Sequence, residues 1–143
     1  MRKVSDLMTQ AVETVGPDQT AREAASFMLS ADTGAIPVIE GDRLIGMITD
    51  RDIAVRGVAH GHGPETLVRD LMSDDLVCAR EDDDIESAAA RMSEAQVRRL
   101  PVIDEDERLC GMISLGDLSR ETEDETAAIA LEGVSQPGGE HQQ

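Results

Sequence analysis

The sequence predicts an α+β protein made of two β-α-β-β-α repeats that pack together as an intramolecular pseudo-two-fold pair. Three observations predict it. "VSDLM" at 4–8 returns as "VRDLM" at 68–72. "AIPVI" at 35–39 returns as "RLPVI" at 99–103, at the same spacing of 64 residues. "GMITDRD" at 46–52 returns as "GMISLGD" at 111–117, one residue further on. The extra residue falls between the last two motifs, where "EGDR" at 40–43 faces the longer "DEDER" at 104–108. A surface turn absorbs an insertion most cheaply. The chain therefore divides into copy one (4–60), a Gly/Pro-marked linker (61–67), copy two (68–122) and an acidic, flexible tail (123–143). The apolar patch in that tail is expected to form a short helix near 125–131.

Each copy reads alike. A short strand comes first, "AVETV" at 11–15 and "LVCA" at 76–79. A helix follows. Asp18 or Thr20 suits its start in copy one, and the acidic run Asp82–Asp84 suits the positive end of the helix in copy two. Ala21, Ala24, Ala25 and Met28 recur at helical spacing and match Ile85, Ala88, Ala89 and Met92. Two apolar runs separated by a polar turn then predict a hairpin: "IPVI" with "RLIGMIT", and "LPVI" with "RLCGMIS". Pro37 and Pro101 fall at strand starts, where a missing N–H is tolerated. A last helix is expected to begin at Asp52 and at Asp117. Units this small bury little alone, so packing one sheet on the other is the expected solution.

Composition limits the function classes. The 143 residues carry a net charge of −17, with Lys3 the sole lysine. Nucleic-acid binding rests on neutralising phosphates with basic residues, and anionic membranes attract the same residues, so neither partner is expected. One Phe and no Tyr or Trp leave no aromatic platform for stacking bases. No stretch approaches the ~20 apolar residues of a membrane span, and none reads as a signal peptide. Cys78 and Cys110 are far apart and unpatterned. A cytoplasmic protein is expected. His60 and His62 lie in the linker without a third metal ligand nearby in sequence, so no metal site is expected. The signatures of hydrolases, zinc proteases and nucleotide-hydrolysing loops are missing, so an enzyme is not expected.

The motif "GMITDRD" has two readings. Thr49 and Asp52, like Ser114 and Asp117, have the spacing of a capping box, in which hydroxyl and carboxylate satisfy each other's backbone N–H groups. The same groups at a helix start also suit a nucleotide. Free N–H groups there attract phosphate. An ionised carboxylate accepts hydrogen bonds from a ribose diol. The adjoining "IPVI" strand offers apolar surface to a base.

The doubled pattern resembles a tandem pair of CBS domains, the module named after cystathionine β-synthase. "VSDLM" and "VRDLM", "GAIPVI" and "RRLPVI", and "GMITDRD" and "GMISLGD" carry the resemblance, which covers residues 4–122. The stand-alone arrangement further resembles the hypoxic-response-protein type of isolated pair. The resemblance implies a regulatory module that senses an adenosyl ligand, with AMP, ADP, ATP, S-adenosylmethionine and NAD as candidates. No cofactor is required. It implies a ribose and phosphate role for Thr49, Asp52, Ser114 and Asp117. Ile36, Pro37 and Val38, and Leu100, Pro101 and Val102, would contact the base. Arg98 and Arg99 would reach phosphate. It also implies a homodimer acting in trans on a protein partner not identified by the sequence. The alternative is a structural or protein-interaction CBS module that binds no nucleotide, related to stress.

The copies are unequal. Arg98 and Arg99 align with Gly34 and Ala35, whereas Arg51 in copy one faces Gly116 in copy two. In a chain this acidic, local arginines decide whether a cleft tolerates phosphate, so Arg51, Arg98 and Arg99 are the phosphate candidates. For Arg98 and Arg99 the alternative is a solvated pair near helix-terminal carbonyls. Phe27 aligns with Arg91, which places it at an edge: either an oligomer contact or partial burial on its own helix.

Overall fold

The structure, a computed structural model, describes residues 2–121. The expected short tail helix near 125–131 lies outside the described residues. The chain forms two compact units. One is continuous, Glu13–Leu76; the other joins the residues up to Val12 to those from Val77 on. None of the described helices is long and apolar enough to cross a membrane.

In the continuous unit, helix α2 (Ala21–Ala31) starts at Thr20 with a complete capping box: the Glu23 N–H donates to Thr20 Oγ1, and the Thr20 N–H donates to Glu23 Oε1. That bonding holds the Glu23 carboxyl below its usual range. Asp18, the other candidate cap, instead accepts from Arg69 Nε and Nη2 at 2.9 and 2.6 Å. Strands β1 (Ala35–Glu40) and β2 (Arg43–Thr49) form the expected antiparallel hairpin, with a bulge between Val38 and Ile39. "AVETV" forms no strand; only Val15 bridges, parallel, to Val38. Pro17 leaves little room for a longer ladder, because the chain must turn at once into α2. Ala24, Met28, Ile36, Val38, Ile48, Val68 and Leu71 make the core, with Phe27 partly buried against it.

The discontinuous unit repeats the plan. Strand β3 (Ala79–Arg80) runs parallel to β4 (Arg99–Ile103), and β4 pairs antiparallel with β5 (Leu109–Ser114), again with one bulge. Helix α3 (Ile85–Ala95) is capped by Asp84, whose carboxylate accepts from the Ser87 N–H at 2.9 Å. Val4, Ala88, Met92, Leu100, Val102, Ile113 and Leu118 are fully or almost fully buried in its core. Both long helices end on a left-handed residue, Asp32 (φ 53°) and Gln96 (φ 58°), at equivalent positions.

The last helices begin earlier than the sequence suggested. Helical backbone starts at Asp50 in copy one and at Leu115 in copy two, where α4 spans Leu115–Glu121. Thr49 and Ser114 are thereby the caps, and Asp52 and Asp117 sit three residues in. Two residues in, the copy-one helix widens into a π-helix, Asp52–Gly57. The Val58 N–H reaches the Ile53 carbonyl, five residues back.

The two openings pack away from their own copies. "VSDLM" forms the short helix α1 (Val4–Leu7), and Val4 is buried in the core built from copy two. "VRDLM" forms a 3₁₀ turn whose Val68 and Leu71 are buried in the core built from copy one. The residues that follow each opening then add to a hairpin. Thr9 exchanges two backbone hydrogen bonds with Met112, and Ser73 exchanges two with Met47. This close approach accounts for the two motif glycines. A Cβ on Gly46 would lie 2.9 Å from the Ser73 carbonyl and 2.8 Å from Met72 Sδ. A Cβ on Gly111 would be driven into the Thr9 carbonyl oxygen.

Candidate functional site

Each copy places its motif where the second hairpin strand turns into the last helix. The turn is closed the same way twice: the Asp50 N–H donates to the Gly34 carbonyl at 2.9 Å, and the Leu115 N–H donates to the Arg98 carbonyl at 2.7 Å. On this frame both capping boxes form. The Thr49 N–H donates to Asp52 Oδ2 at 2.9 Å, and the Asp52 N–H donates to Thr49 Oγ1 at 3.0 Å. In copy two the Ser114 N–H donates to Asp117 Oδ2 at 2.9 Å, and the Asp117 N–H donates to Ser114 Oγ at 3.1 Å. The helix-start N–H groups of Asp52 and Asp117 are therefore spent locally. Each hydroxyl still has its own proton to donate, and a carboxylate has about four acceptor directions. A ligand contact would therefore use different parts of these side chains from those that cap.

The sites differ in exposure. The Asp117 residue is 7% exposed, the one buried charged residue among those described; the Asp52 side chain is 16% exposed. They differ more in charge. Strand register sets Arg99 directly opposite Ser114, and Ala35 opposite Thr49. Arg99 is half-buried, and Arg98 beside it is exposed. Arg51 is exposed, and its backbone N–H donates to Asp50 Oδ1 at 2.8 Å.

The residues expected to contact a base lie on the first strand of each hairpin. Ile36, Val38, Leu100 and Val102 are at most 1% exposed, and all four side chains belong to the cores. Strand alternation turns these residues inward and Pro37 and Pro101 to the opposite face. Pro37 and Pro101 are buried as well.

Sequence reading missed Arg56. Its Nη1 donates to the Leu71 and Met72 carbonyls at 3.3 and 3.0 Å, and its Nε lies 3.8 Å from Asp52 Oδ1. The available signal was its place one helical turn after Asp52.

Away from the motif, the continuous unit has an apolar pocket of about 290 Å³. Its walls include Ala21, Ala25, Ile53, Val58, Pro64 and Leu71, with Arg22 and His62 also lining it. None of the predicted ligand residues lines it. Among the described residues no three His, Cys, Asp or Glu side chains converge as a metal site. Burial pushes both thiols up, Cys110 to about 11 with help from Glu81 and Asp104, so neither is a ready nucleophile at neutral pH.

Comparison with known proteins fits this geometry. The profile of the CBS domain matches residues 4–57 and again 68–124. The CBS domain-containing protein YhcV of Bacillus subtilis (strain 168) is 44% identical over 136 residues, which cover 94% of this chain and 96% of that protein. Among solved structures, Hypoxic Response Protein I with two coordinated zinc ions is 37% identical with a TM-score of 0.78, covering 85% of this chain and all of that one. CBSX2 in complex with AMP is 27% identical with a TM-score of 0.75, covering 85% of this chain and 96% of that one. With the family profile matched twice, in register with the two structural repeats, the chain belongs to the CBS domain family as a tandem CBS pair.

Proposed function

We propose that the chain is a regulatory module that senses an adenosyl nucleotide and acts in trans on a protein partner. The observation that carries this reading is the copy-two constellation: a buried Asp117, a Ser114 hydroxyl with a proton to donate, and Arg99 held opposite Ser114 by strand register. Carboxylate for the ribose diol, hydroxyl and guanidinium for phosphate are the groups an adenine nucleotide needs. The AMP complex of a relative of the same fold points the same way. Arg98 and Arg51, both exposed, are the secondary phosphate contacts of their respective copies. Copy one, with Ala35 where copy two has Arg99, is the weaker phosphate site.

A direct test uses the missing Trp and Tyr. The purified protein absorbs little at 280 nm, so retained adenine stands out at 260 nm. Titration calorimetry with AMP, ADP, ATP, NAD and S-adenosylmethionine is expected to show micromolar binding of at least one. No heat and no thermal shift with any of the five would sink the reading. The observation favouring the alternative, a CBS pair that binds no nucleotide, is that both aspartates already serve as caps.

The proposed homodimer draws on the apolar pocket. Ala21, Ala25 and Leu29 lie on one face of α2 at four-residue spacing. Leu29 is 85% exposed and Val58, beside the pocket, 68% exposed. A second copy covering this face would bury them. Sedimentation is expected to show a dimer that Val58→Glu dissociates; a monomer at micromolar concentration would refute it.

A further inference from the structure

Arg56 is the feature that the proposed function leaves unused. It sits in the π-helix one turn after Asp52, and its side chain is anchored at the far end. Nη1 donates to two successive carbonyls, Leu71 at 3.3 Å and Met72 at 3.0 Å. That anchor fixes where the Nε edge lies, 3.8 Å from Asp52 Oδ1. The distance is too long for a hydrogen bond, so Oδ1 keeps its acceptor directions. The other oxygen, Oδ2, is held by the Thr49 N–H at 2.9 Å. The carboxylate is thus constrained from both sides, with one oxygen hydrogen-bonded and the other facing a fixed positive charge.

We infer that Arg56 is a positioning residue that makes Asp52 selective for a ribose diol. The inference rests on the nucleotide reading above and deepens it for copy one. A carboxylate free to rotate must be ordered when a ligand binds, whereas one already aimed binds the same hydroxyls with less loss. The guanidinium's Nη1 is engaged with the Leu71 and Met72 carbonyls. An ionised carboxylate only accepts hydrogen bonds and so pairs with hydroxyl donors. The position that matches Arg56 in copy two, 65 residues on, is Glu121 in the sequence.

The test compares AMP with 2′-deoxy-AMP by titration calorimetry on the full chain, in an Asp117→Ala background so that copy one alone responds. Asp52 should bind AMP about tenfold tighter than the deoxy form, the worth of one hydrogen bond to a charged group. Arg56→Gln removes the charge and, two bonds shorter than Nη1, the anchor on the Leu71 and Met72 carbonyls; it should bring the two affinities to within about twofold of each other. Arg56→Lys should restore part of the preference. The ratio separates positioning from mere support, because lost stability weakens both ligands alike. If Arg56→Gln and Arg56→Lys both weaken binding with the ratio intact, Arg56 only supports the fold and the inference is overturned while the nucleotide reading stands. If the background protein still melts cooperatively and shows no AMP binding or no preference for the diol, copy one is no ribose site, and the inference fails with that part of the reading.

Discussion

Gly111→Ala is expected to destabilise the protein by about 3 kcal/mol or more and to lower its Tm by roughly 10 °C. The new methyl would meet the Thr9 carbonyl oxygen, which is backbone and cannot rotate away. Thr9 is held there by its reciprocal hydrogen bonds with Met112, at 2.8 and 2.9 Å. Relief requires the segment after α1 to peel off β5, taking Val4 with it out of the core where it is fully buried. Gly46→Ala should follow the same course less severely. One of its two close neighbours is Met72 Sδ, the end of a flexible side chain, although the Ser73 carbonyl at 2.9 Å is not. Gly63→Ala is the control, since a Cβ there meets nothing within 4 Å. Thermal melts of the three variants check the order. A Gly111→Ala protein melting within about a degree of the parent would mean that the opening segment does not sit on β5.

The second large effect concerns Asp117, where cap and clamp must be told apart. Asp117→Ala removes the acceptor of the Ser114 N–H and should cost about 1–2 kcal/mol, as lost caps do. The position is nearly closed to water, so the orphaned N–H has little chance of solvent compensation. Asp117→Asn keeps an oxygen for that N–H and the same shape. It should retain most of the stability and lose about tenfold or more in nucleotide affinity, because a neutral amide oxygen is a weaker acceptor than a carboxylate. Calorimetry and melting on both variants read the two roles separately. If both variants change stability alone and leave ligand affinity where it was, Asp117 is a cap and nothing else.

What the sequence disclosed was mostly local. The hairpins around "IPVI" and "LPVI", the helices through Ala24 and Ala88, and the Thr49–Asp52 and Ser114–Asp117 boxes each rest on residues a few positions apart. Local spacing determines them. The first strand shrank to Val15 alone because a strand exists only through its partners, and no local rule counts partners. The same limit applies to side-chain direction. An apolar strand residue looks alike whether it faces a ligand or a core, and Ile36 and Val38 face the core. Arg56 was hidden for a third reason: its anchors, Leu71 and Met72, lie in the opening motif of the other copy. The repeat alignment showed that "VSDLM" and "VRDLM" are equivalent, yet equivalence cannot say which core each one joins. Gly46 and Gly111 were noticed for recurring, and only the packed segments show what their missing side chains make room for.

The exchange of openings changes what counts as one piece of this protein. A cut in the linker between His60 and Leu67 would follow the boundary of the sequence repeat. It would also strip Val68 and Leu71 from the first core and Val4 from the second. Each half would carry the plug for the other and lack its own. The smallest self-sufficient article of this fold is thus the pair. A single copy could seal its core only by borrowing an opening segment from a second molecule; in this chain the same exchange is made within one.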